Sequence, residues 1–206
     1  MLARTRRVLL YDLRGHGKSE RAPSGYDVAT MSDDLAALLD DFDPRPVALV
    51  GHSYGALVAL RFALDHPARV AKLAMVEAPL PPSTFGELTS KTPEELLAVL
   101  PGPLAEGVAR GGRQARRLLE SLDFLLRKST LLADLGAERD IPDAELARLA
   151  CPVLLAYGAR SPCLPVGERL LRALPNAELA RLDGGHFLHL DCAAELSARL
   201  SDFLDG

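Results

Sequence analysis

Along this chain, short apolar runs alternate with stretches whose apolar positions recur every three or four residues. The runs are Arg7–Asp12 (RVLLYD), Pro46–Gly51 (PVALVG), Lys72–Glu77 (KLAMVE), Pro152–Gly158 (PVLLAYG) and Ala177–Leu182 (AELARL). The first four are apolar on both faces, the pattern of parallel strands covered on two sides. Between them lie helical patterns. Ser32 is placed to cap DDLAALLDDF, and Tyr54–Asp65 is apolar nearly all round and ends at His66-Pro67. Leu164–Leu174 and Cys192–Leu204 supply two more amphipathic segments. Strand and helix in this alternation predict an α/β domain with a mostly parallel sheet and helices on both faces.

From residue 79 to residue 150 the strand pattern is missing. Thr92-Pro93-Glu94-Glu95 reads as a capping box before LLAVL, and Gln114–Leu135 has helical periodicity after the Gly111-Gly112 break. The expected organisation is therefore a core of residues 1–78 and 151–206, with residues 79–150 inserted as a helical lobe.

Composition narrows the function classes. The net charge of −4 gives no reason to expect a nucleic-acid or anionic-membrane partner. Arg113, Arg116 and Arg117 read as a solvated helix face. Three cysteines, Cys151, Cys163 and Cys192, are widely spaced with no C-x-x-C pair, which fits a reducing, cytoplasmic setting rather than a disulfide framework or a zinc site. The N-terminal apolar run is cut short by Asp12, so it does not read as a signal segment, and no run approaches a membrane span.

Two stretches carry candidate chemistry. Gly15-His16-Gly17-Lys18-Ser19 looks like the end of a phosphate-binding loop, but that motif needs a glycine where this chain has Asp12, and a carboxylate there repels phosphate. Gly51-His52-Ser53-Tyr54-Gly55 is G-x-S-x-G between an apolar strand and a buried helix, the context of a nucleophile elbow. Ser53 would stand at the helix N-terminus, flanked by glycines that relieve the sharp turn, with the Tyr54 N–H able to help hold an oxyanion. A serine hydroxyl needs a base. His16 and His52 sit in turns and His66 at a helix end. His186 follows the last strand after Gly184-Gly185 and is the candidate base, with His189 the alternative.

YDLRGHGKS, GHSYG and GGHFLHL in this order resemble the α/β-hydrolase fold family, in its small cap-bearing form, over the chain from Arg7 onward. The resemblance makes the first stretch a structural turn and residues 79–150 a cap. It implies a serine hydrolase acting on a small-molecule ester, thioester or lactone, without metal or organic cofactor. A non-catalytic binding relative and an acyl-transfer or cyclisation enzyme are the alternatives, and homo-oligomerisation is left open. Many members carry the acid in a G-x-x-D pattern after the strand that follows the cap, where this chain has Ser161. Some carry it at the end of the strand next to the serine's, where this chain has Glu77, which keeps the order Ser53, Glu77, His186. Asp183 and Asp191 lie too close in sequence to the histidine to turn back on it. Arg7–Asp12 corresponds to the family's fourth strand, so about 45 residues of strands, turns and helix are expected to be missing ahead of it, with the loop that donates a second oxyanion N–H.

Overall fold

The computed structural model describes residues 2–43, 45–80, 95 and 111–206. Four strands form one parallel sheet in the order β1-β2-β3-β4: β1 Val47–His52, β2 Val70–Val76, β3 Val153–Gly158 and β4 Ala177–Leu182. Each follows the apolar run that predicted it to within two residues. β3 is buried at every position, as a central parallel strand must be.

Helix α1 spans Val28–Phe42, and α2 spans Tyr54–Asp65. Three more follow: α3 Arg113–Arg127, α4 Leu131–Ala137 and α5 Asp143–Leu146. The chain closes with α6 Leu164–Ala173, α7 Leu188–Asp191 and α8 Ala193–Asp205. Alternate strand residues pack in opposite directions. Ala74, Val76, Leu154, Ala156, Ala180 and Leu182 meet Leu196 and Leu200 of α8. Tyr157, of the opposite parity in β3, lies against α6, where a Cβ on Gly167 would come within 2.6 Å of its ring. Helices thus cover both faces of the sheet.

Two expectations are corrected. Arg7–Asp12 forms no strand: a strand exists only through a ladder, and among the described residues the sheet is made of β1 to β4 alone. Its Val8, Leu9 and Tyr11 are exposed and its Leu10 is 89% exposed, while β1 is an edge strand. Ser32 does not cap α1 but lies buried inside it. Asp27 takes that role, accepting from Thr30 N–H at 2.8 Å and from the Thr30 hydroxyl at 2.7 Å.

The chain forms two compact units, Met1–Val8 with Ser32–Leu80 and Asp140–Gly206, and Leu9–Met31 with Pro81–Arg139. These bounds differ from the expected 79–150. Arg169 ion-pairs with Asp140 and Asp143, and Arg61 with Glu145, which ties the approach to β3 to the sheet unit. In the other unit, Tyr26 N–H donates to Asp134 and the Ser121 hydroxyl to the Gly15 carbonyl. The helical pattern of Gln114–Leu135 appears as α3 and α4, broken at Lys128–Thr130. The capping box at Thr92 lies outside the described residues.

The Gly15–Ser19 stretch is a turn closed by Asp12, whose carboxylate accepts the Lys18 N–H at 3.0 Å. A carboxylate sits where a phosphate-binding loop would present its N–H to the ligand.

Candidate active site

Parallel strands bring their C-terminal ends to one edge, and in α/β sheets that edge carries the ligand crevice. The register pairs His52 with Val76, Val76 with Ala156, and Gly158 with Leu182. Residues directly beyond the four strands therefore meet: Ser53 after β1, Glu77 after β2, Ser161 and Cys163 after β3, and His186 after β4.

Ser53 sits between β1 and α2 at φ 52°, ψ −125°, a left-handed conformation that costs a non-glycine residue about 1–3 kcal/mol. Its N–H donates to the Val76 carbonyl at 2.9 Å, which locks the turn onto β2. Tyr54 opens α2, so its N–H lies in the helix's first turn. Gly51 is required here, because a Cβ would come within 2.6 Å of the Ala56 backbone and collide with the Gly55 carbonyl. Gly55 is not, since a Cβ there meets nothing within 4 Å. The two glycines of the motif thus differ, against the sequence expectation. Gly51→Ala should lower stability by about 1–3 kcal/mol, and Gly55→Ala should raise it by about 0.4–1 kcal/mol. Urea unfolding midpoints of the two variants would read the opposite signs.

Ser53 Oγ and His186 Nε2 are 3.0 Å apart, and His186 Nδ1 lies 3.1 Å from Glu77 Oε2. A carboxylate only accepts, so Nδ1 carries the hydrogen toward Glu77, and in the neutral ring Nε2 is left to accept from the serine hydroxyl. Glu77 is 0% exposed and also at positive φ, 55°. Such a buried charge must be bonded on every side. The Gly158 N–H donates to Oε1 and the Ser161 hydroxyl to Oε2, while Ser161 Oγ accepts the Cys163 N–H at 3.0 Å. Ser161, in the position where an aspartate was expected from the resemblance, is instead a donor to the acid one strand away. In the sequence that residue is only a departure from the family pattern; its donor role depends on a buried carboxylate that chain order does not reveal.

The histidine loop is held against β3. A Cβ on Gly158 would come within 2.6 Å of the Gly185 carbonyl, so glycine permits this approach. The Arg160 N–H donates to the Gly184 carbonyl at 3.0 Å, and the Gly185 N–H to Asp191 Oδ2 at 2.7 Å. His52 Nε2 lies 2.9 Å from the His186 carbonyl, so it carries a hydrogen there. Burial lowers the His52 pKa, in keeping with a neutral ring in a structural role. His189 is exposed, its ring 5.0 Å from that of His52.

Burial disfavours charging His186, but Cys163 Sγ, 3.7 Å from Nδ1, and the Glu77 carboxylate together outweigh it. They raise the ring from its ordinary 6.5 to about 9. Among the described residues, the one group of donors close enough to share a metal ion is Glu77, Cys163 and His186, within 4.8 Å of one another. No described helix is long and apolar enough to cross a membrane.

A family model described as alpha/beta hydrolase fold matches residues 1–128. The RutD protein of Variovorax paradoxus, named as a carbamate hydrolase, is 33% identical over 219 residues, covering 96% of this chain and 81% of that protein. The magnesium-chelatase 30 kDa subunit of Rhodobacter capsulatus is 31% identical over 227 residues, covering 97% of this chain and 78% of the subunit. The crystal structure of a hydrolase from Pseudomonas aeruginosa is similar with a TM-score of 0.78 at 26% identity, covering 100% of this chain and 82% of that one.

Proposed function

Because this chain belongs to the α/β-hydrolase fold family, we propose that it is a serine hydrolase cleaving an ester, thioester or lactone through an acyl-enzyme on Ser53. One observation carries the reading: the unbroken line from Ser53 Oγ through both ring nitrogens of His186 to Glu77, with steps of 3.0 and 3.1 Å. A protein that only bound ligands would gain nothing from a buried carboxylate aimed behind a serine.

Ser53 Oγ attacks the carbonyl carbon while His186 Nε2 takes its proton. The carbonyl oxygen becomes an oxyanion facing the N–H of Tyr54 at the start of α2, where the helix dipole favours negative charge. Collapse breaks the bond to the leaving alcohol, thiol or ring oxygen, which receives the proton from Nε2. Water then repeats the sequence on the acyl carbon, giving the carboxylic acid and free Ser53. Glu77 keeps its charge throughout, fixing the tautomer and offsetting the imidazolium. The carbamate in RutD's name presents the same electrophilic carbonyl.

A fluorophosphonate probe tests this directly. The parent should be labelled at Ser53, and Ser53→Ala should not. A folded parent that stays unlabelled would contradict the reading.

The raised His186 pKa gives a second check. Only the neutral ring can take the serine proton, so kcat/KM should fall tenfold per pH unit below an apparent pKa of about 9. Stability moves the other way. A ring whose folded pKa lies above its unfolded 6.5 stabilises the protein fully below 6.5, and this contribution fades as pH rises toward 9. The groups that face His186 are Glu77, Cys163, Ser53 and the His52 ring, and among them Cys163 and Glu77 favour the imidazolium. An esterase pH profile already flat at pH 7 would contradict the assignment.

A further inference from the structure

We propose that Glu77, Cys163 and His186 together bind a thiophilic divalent cation of the zinc type, and that its binding switches the hydrolase off. Three different strand ends supply a carboxylate, a thiol and an imidazole, the donor types that zinc favours. Their spacing suits a tetrahedral ion. Bond lengths of about 2.0–2.3 Å imply edges of about 3.3–3.6 Å. The observed separations are 3.7 Å from Sγ to Nδ1 and 3.1 Å from Nδ1 to Glu77 Oε2. Those two edges lie within a few tenths of an ångström of the ideal, and all three atoms fall within 4.8 Å of one another, so Cys163 and Glu77 can close on the ion by side-chain rotation. Cys163 is buried and Glu77 fully so, while the His186 side chain keeps 26% exposure and gives the ion its way in. The spacing along the chain could not show this site, because its donors stand 86 and 23 residues apart (77 to 163, 163 to 186).

Binding and catalysis exclude each other through the ring. A metal on Nδ1 takes the lone pair that otherwise holds the hydrogen shared with Glu77. Starting from the imidazolium, that proton is released; starting from the neutral ring, it moves to Nε2. Either way Nε2 ends protonated and faces Ser53 Oγ as a donor, so it cannot accept the hydroxyl's proton. Cys163 releases its thiol proton as it ligates. Two negative charges then balance the ion's two positive ones, which makes a buried cation tenable.

The binding does not depend on the hydrolase reading, whereas the inhibition rests on it, and the experiment separates them. Cys151→Ser/Cys192→Ser leaves Cys163 as the sole thiol. Titrating this protein with Co²⁺ should produce a thiolate-to-cobalt charge-transfer band that saturates at one equivalent and is displaced by Zn²⁺. Adding Cys163→Ser should abolish the band. No band in the Cys151→Ser/Cys192→Ser protein overturns the site, without reference to any Cys163 variant. With an ester substrate, Zn²⁺ should abolish hydrolysis, and a chelator should restore it. An active protein that shows the band yet keeps its rate under saturating Zn²⁺ overturns the switch. Failure of fluorophosphonate to label Ser53, with the band intact, would sink the hydrolase reading and leave the site standing.

Discussion

Ser53→Ala and His186→Ala should each reduce the esterase rate by about 10⁶-fold, and the double variant should be no slower than either. The equality follows from how the two groups act. The hydroxyl is nucleophilic only while Nε2, 3.0 Å away, takes its proton. Removing the base strands the nucleophile, and removing the nucleophile leaves the base without a partner, so the second loss has nothing left to remove. Folding should survive both changes. Ser53 is only half-buried, and its N–H bond to the Val76 carbonyl is a backbone feature that alanine retains. His186→Ala gives up ring contacts with His52 and Phe187 but keeps its carbonyl for the His52 hydrogen bond. His189→Ala is the control, since that exposed ring touches neither Ser53 nor Glu77, and it should retain activity. Steady-state rates with a chromogenic ester, alongside urea unfolding of each variant, would read both expectations. A dead His189→Ala beside an active His186→Ala would reverse the assignment of the base.

The parts of this site that follow from local pattern were legible in the sequence. An apolar run, a glycine-flanked serine and an apolar helix specify the elbow by themselves, and α2 begins at the residue after Ser53. The paired strands were legible from their patterns too: β1, β2 and β3 as short apolar runs, and β4 as the alternating AELARL, which is buried at Ala180 and Leu182 and exposed at Glu178 and Arg181. Arg7–Asp12 has such a run too, yet forms no strand, because pairing belongs to the neighbour and not to the run. The start of α1 lies earlier than the Ser32 cap implies, at Val28. Both Asp27 and Ser32 can cap, and only the fold shows Ser32 buried and Asp27 bonded to Thr30. What chain order could not reveal is what crosses between strand ends. That Ser161 and the Gly158 N–H serve the carboxylate of Glu77, and that Cys163 lies beside Nδ1, depend on the register of β2, β3 and β4.

Glu77→Gln should lower kcat by about 10⁴-fold, the scale on which a triad loses its orienting acid. The hydrogen-bond pattern explains why so small a change has so large an effect. Glu77 accepts from three donors: the Gly158 N–H, the Ser161 hydroxyl and His186 Nδ1–H. Glutamine has one acceptor oxygen and one donor group, so neither orientation satisfies this set. With its oxygen toward Gly158, the NH₂ faces Nδ1 and forces the ring to carry its hydrogen on Nε2, where it cannot serve as the base. With its oxygen toward Nδ1, the NH₂ is turned on the Gly158 N–H, donor against donor in a buried place, at a cost of about 1–3 kcal/mol. The first orientation removes activity and the second removes stability, and in both the imidazolium loses its counter-charge. The alkaline pKa of the pH–rate profile should therefore fall as well, because one of the two groups that hold His186 near 9 is gone. A relocated carboxylate separates lost charge from damaged folding. Ser161 Oγ already touches Glu77 Oε2, the oxygen that faces Nδ1, so Ser161→Asp can bring a carboxylate to the same nitrogen from β3. Adding Ser161→Asp to Glu77→Gln should recover much of the lost rate and return the pH profile toward the parent's. A fully active Glu77→Gln, or a double variant that folds and remains as slow as the single, would show that Glu77 is not the acid.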